Sequence, residues 1–140
     1  MIVEEVKYTA RIHTSGGRDG GMSRSSDGHL DVKTSLPGLG SGTNPEQLFA
    51  AAWSTCFISA IKIEAGKRKI QLPPVVAVDA EVDLGITQGG YVLQARLNVR
   101  LPGVEPQAAQ ALAAAAHLLC PYSKATHGNI NVETRVSTEA

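Results

Sequence analysis

Two cysteines and four histidines hold most of the reactive chemistry available to this 140-residue chain. Cys56 and Cys120 lie far apart, and neither belongs to a Cys-x-x-Cys pair, which removes thioredoxin-type redox motifs and zinc knuckles. His13, His29, His117 and His127 show neither His-x-His nor His-Glu-x-x-His spacing, so no metal site is expected. The thiols leave two readings. They are small buried apolar groups, or they are a redox pair that distant parts of the chain bring together. A disulfide between them needs Cβ atoms about 4 Å apart, and in a reducing compartment such a bond is more often transient and catalytic than structural.

A reactive cysteine works as its thiolate, and burial in a helix favours the neutral thiol, so Cys56 needs a cation. Lys62 and the run Lys67-Arg68-Lys69 lie toward a solvated helix end. Arg18 follows two glycines, and a glycine-rich loop can enter a crowded site; its plain alternative is a solvated loop arginine. An arginine taken out of water requires a carboxylate, for which Glu46 and Asp19 are the candidates, although helix capping alone accounts for Glu46. On a continuous helix Glu46 and Cys56 are separated by about 15 Å of axial rise. A pocket using both needs a long arginine, a bend or a second copy of the chain. A two-fold dimer with its site at the interface is the expectation.

The elements that must position these groups read as strands, helix, strands, helix, strand. Residues 3–13 alternate apolar and polar, the pattern of a half-buried strand. Residues 15–21 break it with four glycines, and alternation resumes at Leu30 after the Asp27-Gly28 turn signal. Thr43-Asn44-Pro45-Glu46-Gln47 is a helix start, with the helix expected to run to Gly66. Its interior is apolar almost all round, which predicts a helix in the middle of a core. Two long alternating runs, 75–86 and 91–101, meet at a hairpin signal, Gln88-Gly89-Gly90. Residues 106–119 are alanine-rich and helical, ending at Cys120 before Pro121, and a last strand is expected around Ile130 to Val136. The expectation is one α+β domain over residues 1–140, with two mainly antiparallel sheets around a buried central helix.

Composition narrows the function. Thirteen basic residues balance thirteen acidic ones and aromatics are 4%, so the usual signature of nucleic-acid binding is missing. No uninterrupted run of about 18 apolar residues predicts a membrane span, and the charged start does not suit a secretory leader. A cytoplasmic location is the expectation.

Gly16-Gly-Arg-Asp-Gly20, the stretch Gly42-Thr-Asn-Pro-Glu-Gln-Leu-Phe-Ala-Ala51, Cys56-Phe57, and Cys120-Pro-Tyr-Ser123 followed by Ala125-Thr126 and Gly128-Asn129 together resemble the organic hydroperoxide resistance branch of the Ohr/OsmC family. The likeness covers nearly the whole chain in order. It departs from the usual pattern in a short Pro37–Gly42 stretch, in Ala52-Trp-Ser-Thr55, and in Lys124 and His127 after the second cysteine. The resemblance implies an intertwined homodimer and a thiol peroxidase with no bound cofactor. Cys56 would be the peroxidatic thiol, Cys120 the resolving one, Arg18 the thiolate's cation and Glu46 the holder of Arg18. The implied reductant is the dihydrolipoyl group of a lipoylated protein. Phe49, Trp53, Phe57 and Ile58 are the expected apolar contacts for an organic hydroperoxide, or else plain core. An OsmC-type peroxidase of broader range, a redox sensor and a hydrophobic-ligand-binding module are the competing readings.

Overall fold

A computed structural model describes all 140 residues. The chain folds as two compact units, Met1–Pro45 and Glu46–Ala140.

In the first unit β1 (Ile12–Ser15), β2 (Met22–Ser25) and β3 (Asp31–Lys33) form an antiparallel meander in that order. The expected strand over 3–13 is reduced to its last residues. Residues 1–11 carry no strand, and Ile2, Val3, Val6 and Tyr8 are exposed, because no neighbouring strand pairs with them in the single chain. The glycine-rich loop after β1 is clasped by one side chain. Thr34 Oγ1 donates to the Gly17 carbonyl at 2.6 Å and accepts from the Gly21 N–H at 3.1 Å, tying together the two sides of the loop that carries Arg18. Gly16, Gly17 and Gly20 adopt positive φ there, which only glycine takes without strain. β2, immediately after this loop, is a strand that the sequence pattern did not announce.

In the second unit α1 (Pro45–Lys67) begins where Pro45 suits the first helical position. It continues one residue past Gly66 and closes with Lys69 at φ 55, Ile70 N–H donating to Ala65 O at 2.9 Å and Lys69 N–H to Gly66 O at 3.3 Å. This is the reverse turn that normally takes glycine, here built on a lysine. By length and composition α1 is apolar enough to cross a membrane, with mean hydropathy 1.3 over 18 residues. Trp53, Phe57, Ala60 and Ile61 instead pack into the core. Contrary to what its composition predicts, the helix is not surrounded: Ala51, Thr55, Ser59 and Ile63 lie exposed on it.

The hairpin β4 (Ala77–Thr87) and β5 (Gly90–Arg100) pairs Thr87 with Gly90 around a two-residue turn. Ala95, Leu97 and Val99 point into the core, while Asp79, Glu81 and Asp83 meet Asn98, Arg96 and Gln94 on the outer face. β6 (Asn131–Ser137) lies parallel to β5, so this sheet is mixed. Parallel pairing requires a long crossover. α2 (Pro106–Leu119) and the short α3 (Pro121–Thr126) supply it; α3 was not foreseen from the sequence. The fold is α+β, with two three-stranded sheets and one long helix.

Candidate active site

Proline decides where Cys120 sits. Pro121 disfavours a helical conformation at the residue before it and is itself well placed to begin a helix. Cys120 therefore ends α2 and opens α3, at φ −66 and ψ 120. Its N–H donates to the Ala116 carbonyl at 2.8 Å, and its carbonyl accepts from the Lys124 N–H at 3.0 Å. The thiol makes no capping bond, so the sulfur is left for another partner. That partner is Cys56, midway along α1: both cysteines are free thiols, and they lie close enough for Cys120 to shift the Cys56 pKa. Cys120 is wholly buried and Cys56 half-buried.

The surroundings of Cys56 favour the neutral thiol. Burial raises its pKa most, followed by the hydrogen bond and charge of Cys120, while the backbone N–H of Tyr122 acts in the opposite direction. Tyr122 carries the first available N–H of α3, since Pro121 has none.

The residues around the pair come from α1 and the α2–α3 corner. Phe49 stacks on Trp53 with ring centroids 5.6 Å apart and tilts against Tyr122 at 6.5 Å. Trp53 and Phe57 have no exposed surface and belong to the core cluster that holds Cys120 and against which Cys56 packs. Phe49 and Ile58 are half-buried and Tyr122 is 41% exposed, which leaves these three with surface to offer a ligand. The Trp53 indole N–H donates to Ser123 Oγ at 3.1 Å. His117 places Nδ1 2.8 Å from the same hydroxyl and Nε2 2.8 Å from Thr134 Oγ1. Its ring packs on Phe57 at 4.5 Å. Sequence reasoning missed Tyr122, His117 and Ser123, although His117 and Ser123 stand three positions either side of Cys120.

Arg18 lies in the exposed loop between β1 and β2 of the first unit. Asp19 is exposed beside it. Glu46 occupies the first turn of α1 and is half-buried. Because α1 is continuous, the axial rise from Glu46 to Cys56 is about 15 Å. No three His, Cys, Asp or Glu side chains converge in a way that would hold a metal ion.

A sequence model described as OsmC-like protein matches residues 38–135, most of the chain and both cysteines. The chain belongs to the OsmC-like family. Within it, the chain is similar to the organic hydroperoxide resistance protein of Xanthomonas axonopodis pv. citri, 45% identical over 92% of this chain and 94% of the relative. Its identity to the organic hydroperoxide resistance protein OhrA of Bacillus subtilis is 38%, covering 93% and 96%. Among solved structures, an organic hydroperoxide resistance protein from Legionella pneumophila superposes with a TM-score of 0.89 at 40% identity, covering 95% of this chain and 99% of the other. These OsmC-like relatives carry the name of the branch that the sequence motifs resemble.

Proposed function

We propose that this OsmC-like protein is a thiol peroxidase that reduces organic hydroperoxides to alcohols. The observation that carries the reading is that two free thiols, one on α1 and one at the α2–α3 corner, lie close enough to perturb one another, with Cys120 in the core cluster that Cys56 packs against. The names of its relatives supply the substrate class. In the proposed cycle the Cys56 thiolate attacks the O–O bond, forming a sulfenic acid, and the departing alkoxide takes a proton to become the alcohol. The Cys120 thiolate then displaces hydroxide from the Cys56 sulfur, which leaves as water, and the Cys56–Cys120 disulfide forms. A dihydrolipoyl dithiol on a lipoylated protein would reopen it by two thiol–disulfide exchanges, itself ending as the cyclic disulfide.

Within the second unit, burial and Cys120 both oppose ionisation of Cys56. The reading assigns Arg18 as the cation that counters them, because a guanidinium is always charged and offers several fixed donors. Glu46 is assigned as its carboxylate partner. Phe49 and Ile58, with Trp53 and Phe57 behind them, would receive the alkyl portion of the peroxide. No bound cofactor is needed, and a cytoplasmic location belongs to the same reading.

A two-fold homodimer is part of the proposal. It is supported by the exposed apolar start of the chain and by the uncovered face of an otherwise apolar α1. Light scattering should give twice the 14.7 kDa chain mass; a monomer with full activity would exclude an interfacial site.

The deciding experiment mixes the protein with cumene hydroperoxide and dihydrolipoamide. Wild type should consume many equivalents of peroxide, Cys56→Ser none, and Cys120→Ser should stall with a trappable sulfenic acid. Failure of wild type to exceed one equivalent would defeat the reading.

A further inference from the structure

Cys120 lies midway in the chain between His117 and Ser123, and the 2.8 Å contact between their side chains closes a ring around it. Four elements are tied by this ring. His117 comes from α2, Ser123 from α3, Thr134 from β6, and Trp53 from α1 through its indole N–H. The α1 residues in the network, Trp53 and Phe57, also bracket Cys56 on its own helix.

The hydrogen-bonding capacities allow one continuous run of donors from Trp53 to Thr134. Ser123 Oγ accepts from Trp53 and has a single proton to give, which His117 Nδ1 can take. His117 then carries its proton on Nε2 and donates it to Thr134 Oγ1. A neutral ring suits the site, since burial and, to a lesser extent, the charge of His127 push the His117 pKa below its ordinary 6.5. Every polar atom of the ring is paired, and no buried side-chain nitrogen or oxygen in the protein is left unpaired.

We propose that His117 is a positioning residue for disulfide closure: through its two ring nitrogens it locks the α2–α3 corner and holds the Cys120 sulfur against Cys56. Cys120 is wholly buried and lies at the meeting point of two helices, so it has no solvent route by which to swing in from elsewhere. Its approach to Cys56 is only as good as the corner that carries it. A displacement of about 1 Å at a reacting centre can cost about a hundredfold in rate. The first attack, by the more accessible Cys56, involves that corner only through Cys120 and the Tyr122 N–H, whose effects on the Cys56 pKa oppose each other.

The inference rests on the two-thiol reading of the site, but its test needs no peroxide. One equivalent of dithiodipyridine is mixed with the reduced protein and release of thiopyridone is followed by absorbance. Cys56 attacks the probe and expels one thiopyridone. Cys120 then attacks the Cys56 sulfur, expels the second and closes the disulfide. Two thiols are thereby oxidised as one probe disulfide is reduced. For wild type the second release should follow quickly on the first. His117→Gln should slow the second phase by about tenfold or more while leaving the first within about twofold. Thr134→Val, which removes only the Nε2 partner, should slow it in the same direction, and it decides the matter if His117→Gln fails to fold. Nitrogen-15 spectra of the wild-type ring should show the Nε2–H neutral tautomer at pH 7. An unchanged second phase, or equal slowing of both phases, would overturn the proposal. Loss of peroxide turnover with a His117-dependent second phase would count against the peroxidase reading alone.

Discussion

Replacing Trp53 with Phe tests whether its bond from α1 to the α2–α3 corner stabilises the fold. The indole is wholly buried, and its N–H donates to Ser123 Oγ at 3.1 Å. The substitution removes that hydrogen bond, worth about 1 kcal/mol net, and leaves a void where the second ring was, costing about 1–2 kcal/mol more. Ser123 keeps His117 as a partner, so no buried hydroxyl is abandoned outright. The expected loss is therefore about 2–3 kcal/mol. For 140 residues the unfolding entropy near the transition is about 0.3 kcal/mol/K, so Tm should fall by about 7–10 °C at fixed protein concentration. Far-ultraviolet circular dichroism reads both proteins; wild type can also be followed by fluorescence, because Trp53 is its only tryptophan. A double-mutant cycle with Ser123→Ala should return a coupling of about 1 kcal/mol for the indole–hydroxyl pair. A Tm drop under about 2 °C would show that this network does not hold the core together.

Three further outcomes follow from the same structure. Cys120 supplies two of the causes that raise the Cys56 pKa, so Cys120→Ala should move the pH profile of Cys56 alkylation by iodoacetamide to lower pH, and an identical profile would contradict the closeness of the two thiols. Asp83 is held at a pKa of about 2, first by hydrogen bonds from Arg96, whose Nη1 and Nη2 each lie 2.9 Å from its carboxylate. A depressed carboxylate stabilises the fold above its unfolded value of about 4, and that contribution fades as pH falls toward 2. Carbon-13 titration should show the Asp83 pKa rising in Arg96→Gln, with the Gln94 hydrogen bond still holding it below its ordinary value, and a value still near 2 would remove Arg96 as the cause. Gly21→Ala would drive a Cβ into the Gly17 carbonyl, within 2.7 Å of Ser15 O and 2.8 Å of Thr34 Oγ1, so it should loosen the Arg18 loop and raise its protease sensitivity. Gly89→Ala, with open space around it, is the control, and equal behaviour of the two would refute the clasp.

Elements specified by local chemistry were legible in the chain. Pro45 after two capping residues announced α1, the alternating runs 75–86 and 91–101 announced the hairpin, and Cys120-Pro121 announced the end of α2. Misreadings arose where a neighbour decides. Residues 3–13 alternate as a strand does, yet alternation supplies only a face, and residues 1–11 find no partner strand in the single chain. The interior of α1 is apolar almost all round, but composition does not say which side is covered within one copy. Lys69 closes α1 in a conformation that its residue type does not advertise, because the Ala65 and Gly66 carbonyls needed donors.

The sequence alone determined which atoms are available: two thiols outside any metal or Cys-x-x-Cys pattern, an arginine in a glycine-rich loop and a proline that forces a corner at Cys120. Folding decided that the two thiols come close, and that a histidine, a serine and a tryptophan are joined by hydrogen bonds around the corner that carries Cys120. Spacing along a chain fixes distances only over a few residues. Trp53 and Ser123 are separated by 70 positions, and only the packing of α1 against the α2–α3 corner brings one within hydrogen-bonding distance of the other.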